Sequence, residues 1–351
     1  MKRHRSSGLW LRVIVGGICL LLIILLHSAG QAHGAGLSPQ STPTIGGCPV
    51  FPADNVWNTP VDTLPVDAHS ASYITAIDTT KNGVVDLHLH PDFGSAYWDG
   101  GPIGIPFNVV GAGTPKYSVD FWWPGESDAG PYPIPANPLI EYGDDQHLLV
   151  VDTSVCKLYE LYAVTAPSGS EGWQAGSGAI FDLHSDALRT DTWTSADAAG
   201  LPILPGLARY AEVAAGHIDH ALRFTVPSTI AGYVWPARHD APTGSGSNLP
   251  VMGLRFRLKS SFNISGYGPQ AQVILTALKK YGMIIADNGS AWYISGEPNP
   301  GWDEDDIGGL KNIAGSNFEV VDESSLQVSA DSGQVHIPNL IPRAWLPYIT
   351  K

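Results

Sequence analysis

The stretch HLLVVDTSVCKLYELYAV, residues 147–164, decides the fold. Two runs rich in Val, Leu and Tyr flank a short polar turn, which is the pattern of a β-hairpin. Upstream, residues 100–142 hold further short strand-like runs between Gly/Pro turns, namely GGPIGIPFNVV, SVDFWWP and YPIPANPLIEY. The pattern predicts a mainly β fold, a sandwich or jelly-roll-like single domain.

One principal helix is predicted at residues 269–281, PQAQVILTALKKY. A proline stands in its first turn, Lys279 and Lys280 favour the negative end of the helix dipole, and Gly282 follows the last turn.

Four local predictions complete the secondary structure. Residues 51–67, with prolines every few positions, predict an extended arm lying over the core. Residues 209–212 have a strand-like alternation. Residues 252–262 predict a half-buried strand whose Arg255, Arg257 and Lys259 face solvent. Residues 283–286 and 291–295 predict a second hairpin around Asp287-Asn288-Gly289.

The N-terminus has the pattern of a secretory signal. A basic cluster at residues 1–12 precedes an apolar run of fourteen residues, 13–26, and Gly30-Gln31-Ala32 supplies small residues for cleavage. Residues 1–32 are therefore predicted to be a signal peptide or, if uncleaved, a signal anchor. A polar linker is expected at 33–47, a single β-rich domain at 48–322 and a C-terminal extension at 323–351.

Two cysteines, Cys48 and Cys156, remain after the signal segment. In an oxidising compartment a disulfide between them is expected, and two buried free thiols are the alternative.

The charge balance excludes some partners. The chain has 19 basic and 33 acidic residues, a net charge of −14. Because residues 1–32 hold four of the basic residues and no acidic one, the remainder carries 15 against 33, or −18. Nucleic acid is excluded as a partner because it requires a basic face. Membrane contact is expected only through an uncleaved N-terminal segment. A neutral or cationic extracellular polymer fits better.

Most of the chemistry-bearing side chains lie in residues 171–224. Carboxylates and imidazoles spaced among glycines and prolines can supply general acids and bases. The candidate catalytic residues are Asp182, Asp197, Glu212, His220 and His239. The candidate substrate-binding residues are Trp173, Arg189, Trp193, Arg209 and Trp235.

Paired carboxyl groups with aromatic rings favour a secreted carbohydrate-active hydrolase, namely a glycoside hydrolase that acts on a polysaccharide. The sequence contains no nucleophile elbow, phosphate loop or paired-cysteine metal motif, so this hypothesis expects neither a cofactor nor a metal. A non-catalytic extracellular binding or envelope module is the first alternative, since buried carboxylates and guanidiniums often only pair with each other.

The second alternative is a metal-dependent hydrolase. Asp86, His88 and His90 would share one face of a strand, near Asp92, and D-x-H-x-H is similar to the first metal-binding strand of the amidohydrolase barrels. Such a barrel requires repeated strand–helix units, whereas the following residues form Gly/Pro turns and short strands.

Four blocks, GSGAIFDL, TSADAAGLPILPG, HALRFTV and ALKKYGMIIADNGSAWYISG, resemble those of an uncharacterised family of secreted bacterial proteins. The resemblance covers most of residues 50–322. It implies a secreted single-domain protein and assigns no catalytic residue.

Overall fold

The computed structural model describes residues 42–78 and 88–336. The predicted signal segment lies outside these residues. The α-helices are α1 Ser70–Asp78, α2 Tyr210–Ala215, α3 Pro269–Lys280 and α4 Glu304–Gly308, and short 3-10 helices occur at Val56–Asn58, Pro124–Glu126, Leu204–Gly206, Gly309–Asn312 and Gly315–Asn317. Among the described residues, none of these helices has the length and apolar character that crossing a bilayer requires.

Short strands dominate the described structure. They are β1 Thr44–Ile45, β2 Cys48–Pro49, β3 His90–Asp92, β4 Tyr97–Trp98, β5 Gly101–Pro102, β6 Phe107–Val110, β7 Lys116–Tyr117, β8 Val119–Phe121, β9 Tyr132–Pro133, β10 Leu148–Asp152, β11 Lys157–Tyr162, β12 Trp173–Ala175, β13 Ser177–Asp182, β14 Leu222–Val226, β15 Arg255–Leu258, β16 Met283–Asn288, β17 Tyr293–Ser295 and β18 Phe318–Val320. The prediction of a mainly β domain is confirmed.

A four-stranded sheet has the order β13-β11-β10-β6. The predicted hairpin is confirmed, because β10 and β11 pair antiparallel; β6 joins the other edge of β10 in parallel. Leu149 and Val151 face the main core, whereas Leu148 and Val150 face a second apolar cluster around Tyr132. Burial on both faces explains why this strand is an unbroken apolar run.

A six-stranded sheet has the order β18-β15-β16-β14-β17-β3. The predicted hairpin between β16 and β17 is wrong, because β14 lies between them, parallel to β16 and antiparallel to β17. The fully buried Trp292, which precedes β17, stacks on Phe224 and Phe318. A local turn signal contains no information about this long-range packing.

Two other local predictions are corrected. Arg255 and Arg257 are buried, because the arm over β15 supplies carbonyl acceptors from Val56 and Val61. The segment predicted as a strand at 209–212 instead begins helix α2, on which Arg209 and Glu212 form an i,i+3 ion pair.

The remaining predictions for this part agree with the structure. Helix α3 buries Ala271, Ile274 and Leu278, as its apolar spacing indicates. The arm at residues 51–67 contributes buried Trp57 and Val61 to the core.

The folded core extends beyond the expected limits of 48–322. Ile45 is buried in β1, which pairs with β2. Leu326 and Val335 belong to the main core at the other end. Residues at both ends of the described range therefore contribute to the same core.

The Cys48–Cys156 disulfide is present, with an S–S distance of 1.96 Å and a sequence separation of 108 residues. It joins β2, which lies just before the arm at residues 51–67, to the turn between β10 and β11 of the four-stranded sheet.

We expect replacement of both Cys48 and Cys156 by Ala to lower the free energy of unfolding by about 4–5 kcal/mol, because the unfolded chain regains the entropy of a long closed loop. Urea unfolding measures this change. A reductant should weaken the native protein in the same way and leave the double variant unaffected. An equal free energy of unfolding in the native protein and the variant would contradict the prediction.

Candidate functional site

An open cavity of about 440 Å³ lies where the end of β11, the start of β13 and the end of β16 meet. Its lining combines aromatic rings, carboxyl groups, hydroxyls and one imidazole. The lining residues are Trp123, Glu126, Asp145, Tyr162, Ser177, Thr194, Ser195, Ala196, Asp197, Ala198, His239, Ala241, Asp287 and Asn288.

One wall of the cavity is aromatic. The rings of Trp123 and Tyr162 stack with centroids 6.4 Å apart and an interplanar angle of 19°. A Cβ atom at Gly176 would lie 2.7 Å from the Tyr162 ring and 3.0 Å from the Trp123 ring, so only glycine allows both rings to approach the backbone here. Trp123 remains 49% exposed, so its face is open to a ligand.

A buried ion pair lies at the 194–198 loop. Both carboxylate oxygens of Asp197 accept hydrogen bonds of 2.8 Å from Arg223, and Arg223 also donates to the hydroxyl of Ser295. Both side chains are almost completely buried. Asp197 is therefore a fixed negative charge next to the cavity and not a group that can reach a ligand.

Asp287 ends β16 and lines the cavity. Its carboxyl accepts a hydrogen bond from the backbone N–H of Asn288. Desolvation, followed by the nearby charge of Asp197, raises the pKa of Asp287 to about 7, against the opposing effect of Arg223. Asp287 can therefore keep its proton at mildly acidic pH, as a general acid must.

The loop at residues 141–147 supplies a second, solvent-accessible carboxyl, Asp145. Partial desolvation raises the pKa of Asp145, with further contributions from Glu141 and Asp197, while His147 and Arg223 act in the opposite direction. Of the two acids, Asp145 is the one more open to water.

His147 fixes this loop. Its Nδ1 contacts the Glu141 carboxylate, and its Nε2 lies 3.0 Å from the carbonyl oxygen of Ala196. Both partners are acceptors, so the ring is an imidazolium that donates twice. Burial alone lowers the pKa of His147, but the hydrogen bond and charge of Glu141 outweigh it and raise the pKa to about 9.

His239 lies across the cavity beside Glu126. Its Nδ1 donates to the Ala198 carbonyl at 2.7 Å, which leaves Nε2 3.7 Å from the Glu126 carboxylate. This tautomer directs Nε2 toward the Glu126 carboxylate.

The structure brings together two of the five predicted catalytic residues, Asp197 and His239. Glu212 instead pairs with Arg209 at 2.6 Å and with the fully buried His220 at 3.0 Å. Asp182 is exposed at the end of β13 and accepts a hydrogen bond from the backbone N–H of His184, which is a turn contact. The prediction that all five line one cleft is corrected, because Glu212 and His220 are satisfied by each other and by Arg209.

The predicted substrate-binding residues take other positions. Trp173 is buried in the second apolar cluster. Arg189 is buried, donates to Asp128 and lies 5.8 Å from the Trp193 ring. Arg209 belongs to the ion cluster of Glu212, and Trp235 lines another cavity, of about 330 Å³.

The histidines of the metal hypothesis lie near an edge of the six-stranded sheet. His90, in β3, stacks on Tyr293 with centroids 4.6 Å apart, and His88 forms a bridge to Ala314. Asp86 lies outside the described residues. Within residues 42–78 and 88–336, no group of three or more His, Cys, Asp or Glu side chains is arranged to hold a metal ion.

Sequence reasoning missed Asp145, Asp287, Trp123, Tyr162 and Glu126. Trp123, Glu126, Tyr162 and Asp287 lie at or beside the end of a strand or short helix, and that position was the available signal. Asp145 lies in the loop before β10, where the sequence gives no such signal. No protein-family model matches the chain, and neither a curated protein nor a solved structure matches it.

Replacing Arg223 with Met should lower the free energy of unfolding by about 3–5 kcal/mol, because it leaves the Asp197 carboxylate buried without a partner. Chemical denaturation measures the loss. Adding Asp197→Asn to the same chain should restore part of the stability, since no unpaired charge remains. A single variant as stable as the native protein would contradict this account of the ion pair.

Stability should be greatest at mildly acidic pH. Burial raises the pKa of Glu160 and Asp287 to about 7, so the stability their protonated forms contribute is lost as pH rises from about 4 to 7. The stability that protonated His147 contributes is lost as the pH rises from about 6.5 to 9. The contribution of Glu212 is lost below about 4.5, because Arg209 and His220 outweigh burial and lower its pKa to about 2.

Melting temperatures across this pH range test the prediction. The variant Glu160→Gln, whose amide oxygen can still accept from Ile203 and Leu204, should show a shallower decline between mildly acidic and neutral pH. A maximum at alkaline pH would contradict the assignment of these groups.

Proposed function

We propose that this protein is an extracellular glycoside hydrolase whose active site is the cavity between Trp123 and Asp287. The observation that carries the proposal is the combination, in one open cavity, of a stacked aromatic wall with a desolvated carboxyl group and a solvent-accessible one. Sugar rings pack on aromatic faces, and glycosidic cleavage requires two carboxyl groups with different protonation.

In the proposed mechanism Asp287 donates a proton to the glycosidic oxygen. Its proton is retained by desolvation and by the adjacent Asp197 carboxylate. Asp197 therefore contributes through charge alone, since Arg223 occupies both of its oxygens.

Asp145 acts as the second carboxyl, either as base for an attacking water or as nucleophile. The imidazolium of His147 holds its loop against the 194–198 segment through the Ala196 carbonyl. His239 and Glu126 border the same cavity.

The location outside the cytoplasm rests on two observations. The N-terminal basic and apolar pattern is that of a secretory signal, and the Cys48–Cys156 disulfide is typical of oxidising compartments.

A non-catalytic sugar-binding module is the second candidate. Tyr97, Trp98 and Trp122 are 73%, 75% and 59% exposed, and exposed rings of this kind are common on carbohydrate-binding surfaces. Turnover decides between the two candidates.

Replacing Asp287 with Asn should lower kcat by about 10²–10⁴-fold, because general-acid catalysis is lost while the side chain keeps its shape. Release of reducing ends from a panel of neutral and amino-sugar polysaccharides measures the rate, and the melting temperature reports folding. Asp144→Asn, which removes an exposed carboxyl next to Asp145 in the sequence and outside the cavity lining, is the control and should retain full activity. Full activity in the Asp287 variant, or no turnover by the native protein on any polymer of the panel, would contradict the proposal.

A further inference from the structure

Two arginines that contact residues of the cavity lining have their hydrogen-bond partners within the protein. Arg223 is held by Asp197 and Ser295. Arg189, behind the 194–198 loop, donates to Asp128 and to the carbonyls of Glu126 and Thr194. Both guanidiniums are almost completely buried, so neither is accessible to an anionic ligand.

The imidazolium of His147 is similarly occupied. Its two N–H groups are taken by Glu141 and by the Ala196 carbonyl, and the residue is buried. Glu141 is thereby neutralised, but Asp145, on the same loop, has no such partner among the contacts of the described residues.

The cavity therefore keeps one acidic group, Asp145, without an ion-pair partner among the described residues. Its other acidic lining residues are Glu126, Asp197, which pairs with Arg223, and Asp287, which is protonated at mildly acidic pH, and the lining includes neither lysine nor arginine. The imidazole of His239 is the basic side chain in the lining, and it lies beside the Glu126 carboxylate. A uronate or sulfated sugar would meet repulsion here, whereas a ligand that brings its own positive charge would complete the pairing.

The aromatic wall adds a second requirement. Trp123, which stacks on Tyr162 and is 49% exposed, offers an aromatic surface on which a sugar ring can pack, and Asp145 and Asp287 line the same cavity. A ligand that satisfies both the ring surface and the acidic groups has a flat apolar sugar face and a protonated amine.

We propose that the cavity binds an amino-sugar oligomer with free amines, in which a pyranose stacks on Trp123 and its ammonium group pairs with Asp145. The inference rests on the proposed function for its sugar ligand and adds the class of sugar. The net charge of −14 favours the same ligand, because it draws a polycation toward the protein.

The test is calorimetric binding to full-length Asp287→Asn protein, so that cleavage does not consume the ligand. A glucosamine tetramer, an N-acetylglucosamine tetramer and a tetragalacturonate are compared at mildly acidic pH and low salt. We expect the glucosamine tetramer to bind at least about fivefold more tightly than the acetylated one, an advantage that added salt reduces, and the uronate not to bind.

Adding Asp145→Asn should remove that advantage, whereas adding Asp144→Asn, which changes the net charge equally, should preserve it. Equal or tighter binding of the acetylated tetramer, or no binding of the glucosamine tetramer, would overturn the inference. An advantage that survives Asp145→Asn would also overturn it.

The outcomes separate this inference from the proposed function. Binding of glucosamine oligomers without any release of reducing ends by the native protein supports the inference and refutes the hydrolase. Hydrolysis of a neutral glucan without a preference for free amines refutes the inference and leaves the hydrolase in place.

Discussion

The buried guanidinium of Arg255 is the contact on which much of the architecture depends. From the interior of the six-stranded sheet it donates to the carbonyls of Val56, Thr59 and Tyr281 and to the carboxylate of Glu323. The carbonyls of the irregular arm have no strand partner, and unpaired buried carbonyls cost free energy. One side chain thus donates hydrogen bonds to the arm at residues 51–67, to the residue that follows helix α3 and to the C-terminal segment.

The same arrangement recurs at other loops, and it limits what the sequence can predict. Arg257 donates to the carbonyls of Val61 and Leu64, and Arg238 to those of Arg189 and Ala330. Alternation along β15 correctly identified a strand, and the proline-rich arm was correctly placed over the core. Period-two alternation identifies two faces but not what covers each face, so Arg255 and Arg257 were assigned to solvent although the arm covers them.

Only part of the candidate site could be predicted from the sequence, for a related reason. Asp197 was found because polar residues are dense along residues 171–224, and His239 because it follows aromatic and cationic residues just before a flexible loop. Glu212 and His220 have the same chemistry, yet they pair with each other. Charge density along the sequence shows where ionisable groups occur and not which groups neutralise them. Asp145 and Asp287 lie outside that polar stretch and far apart in the sequence, and only tertiary contacts bring them to one cavity.

The same buried charges stabilise the fold and shift the pKa of a residue in the candidate site. Arg223 is needed to bury Asp197, and Asp197 in turn helps Asp287 to keep its proton. A cation bound at Asp145 would favour ionisation of Asp287, since the coupling between proton and ligand is reciprocal. Desolvation is nevertheless the largest cause of the raised pKa of Asp287, and a ligand that fills the cavity displaces water and strengthens that effect. Burial therefore allows an acidic cavity to accept a positive charge and still retain a proton donor.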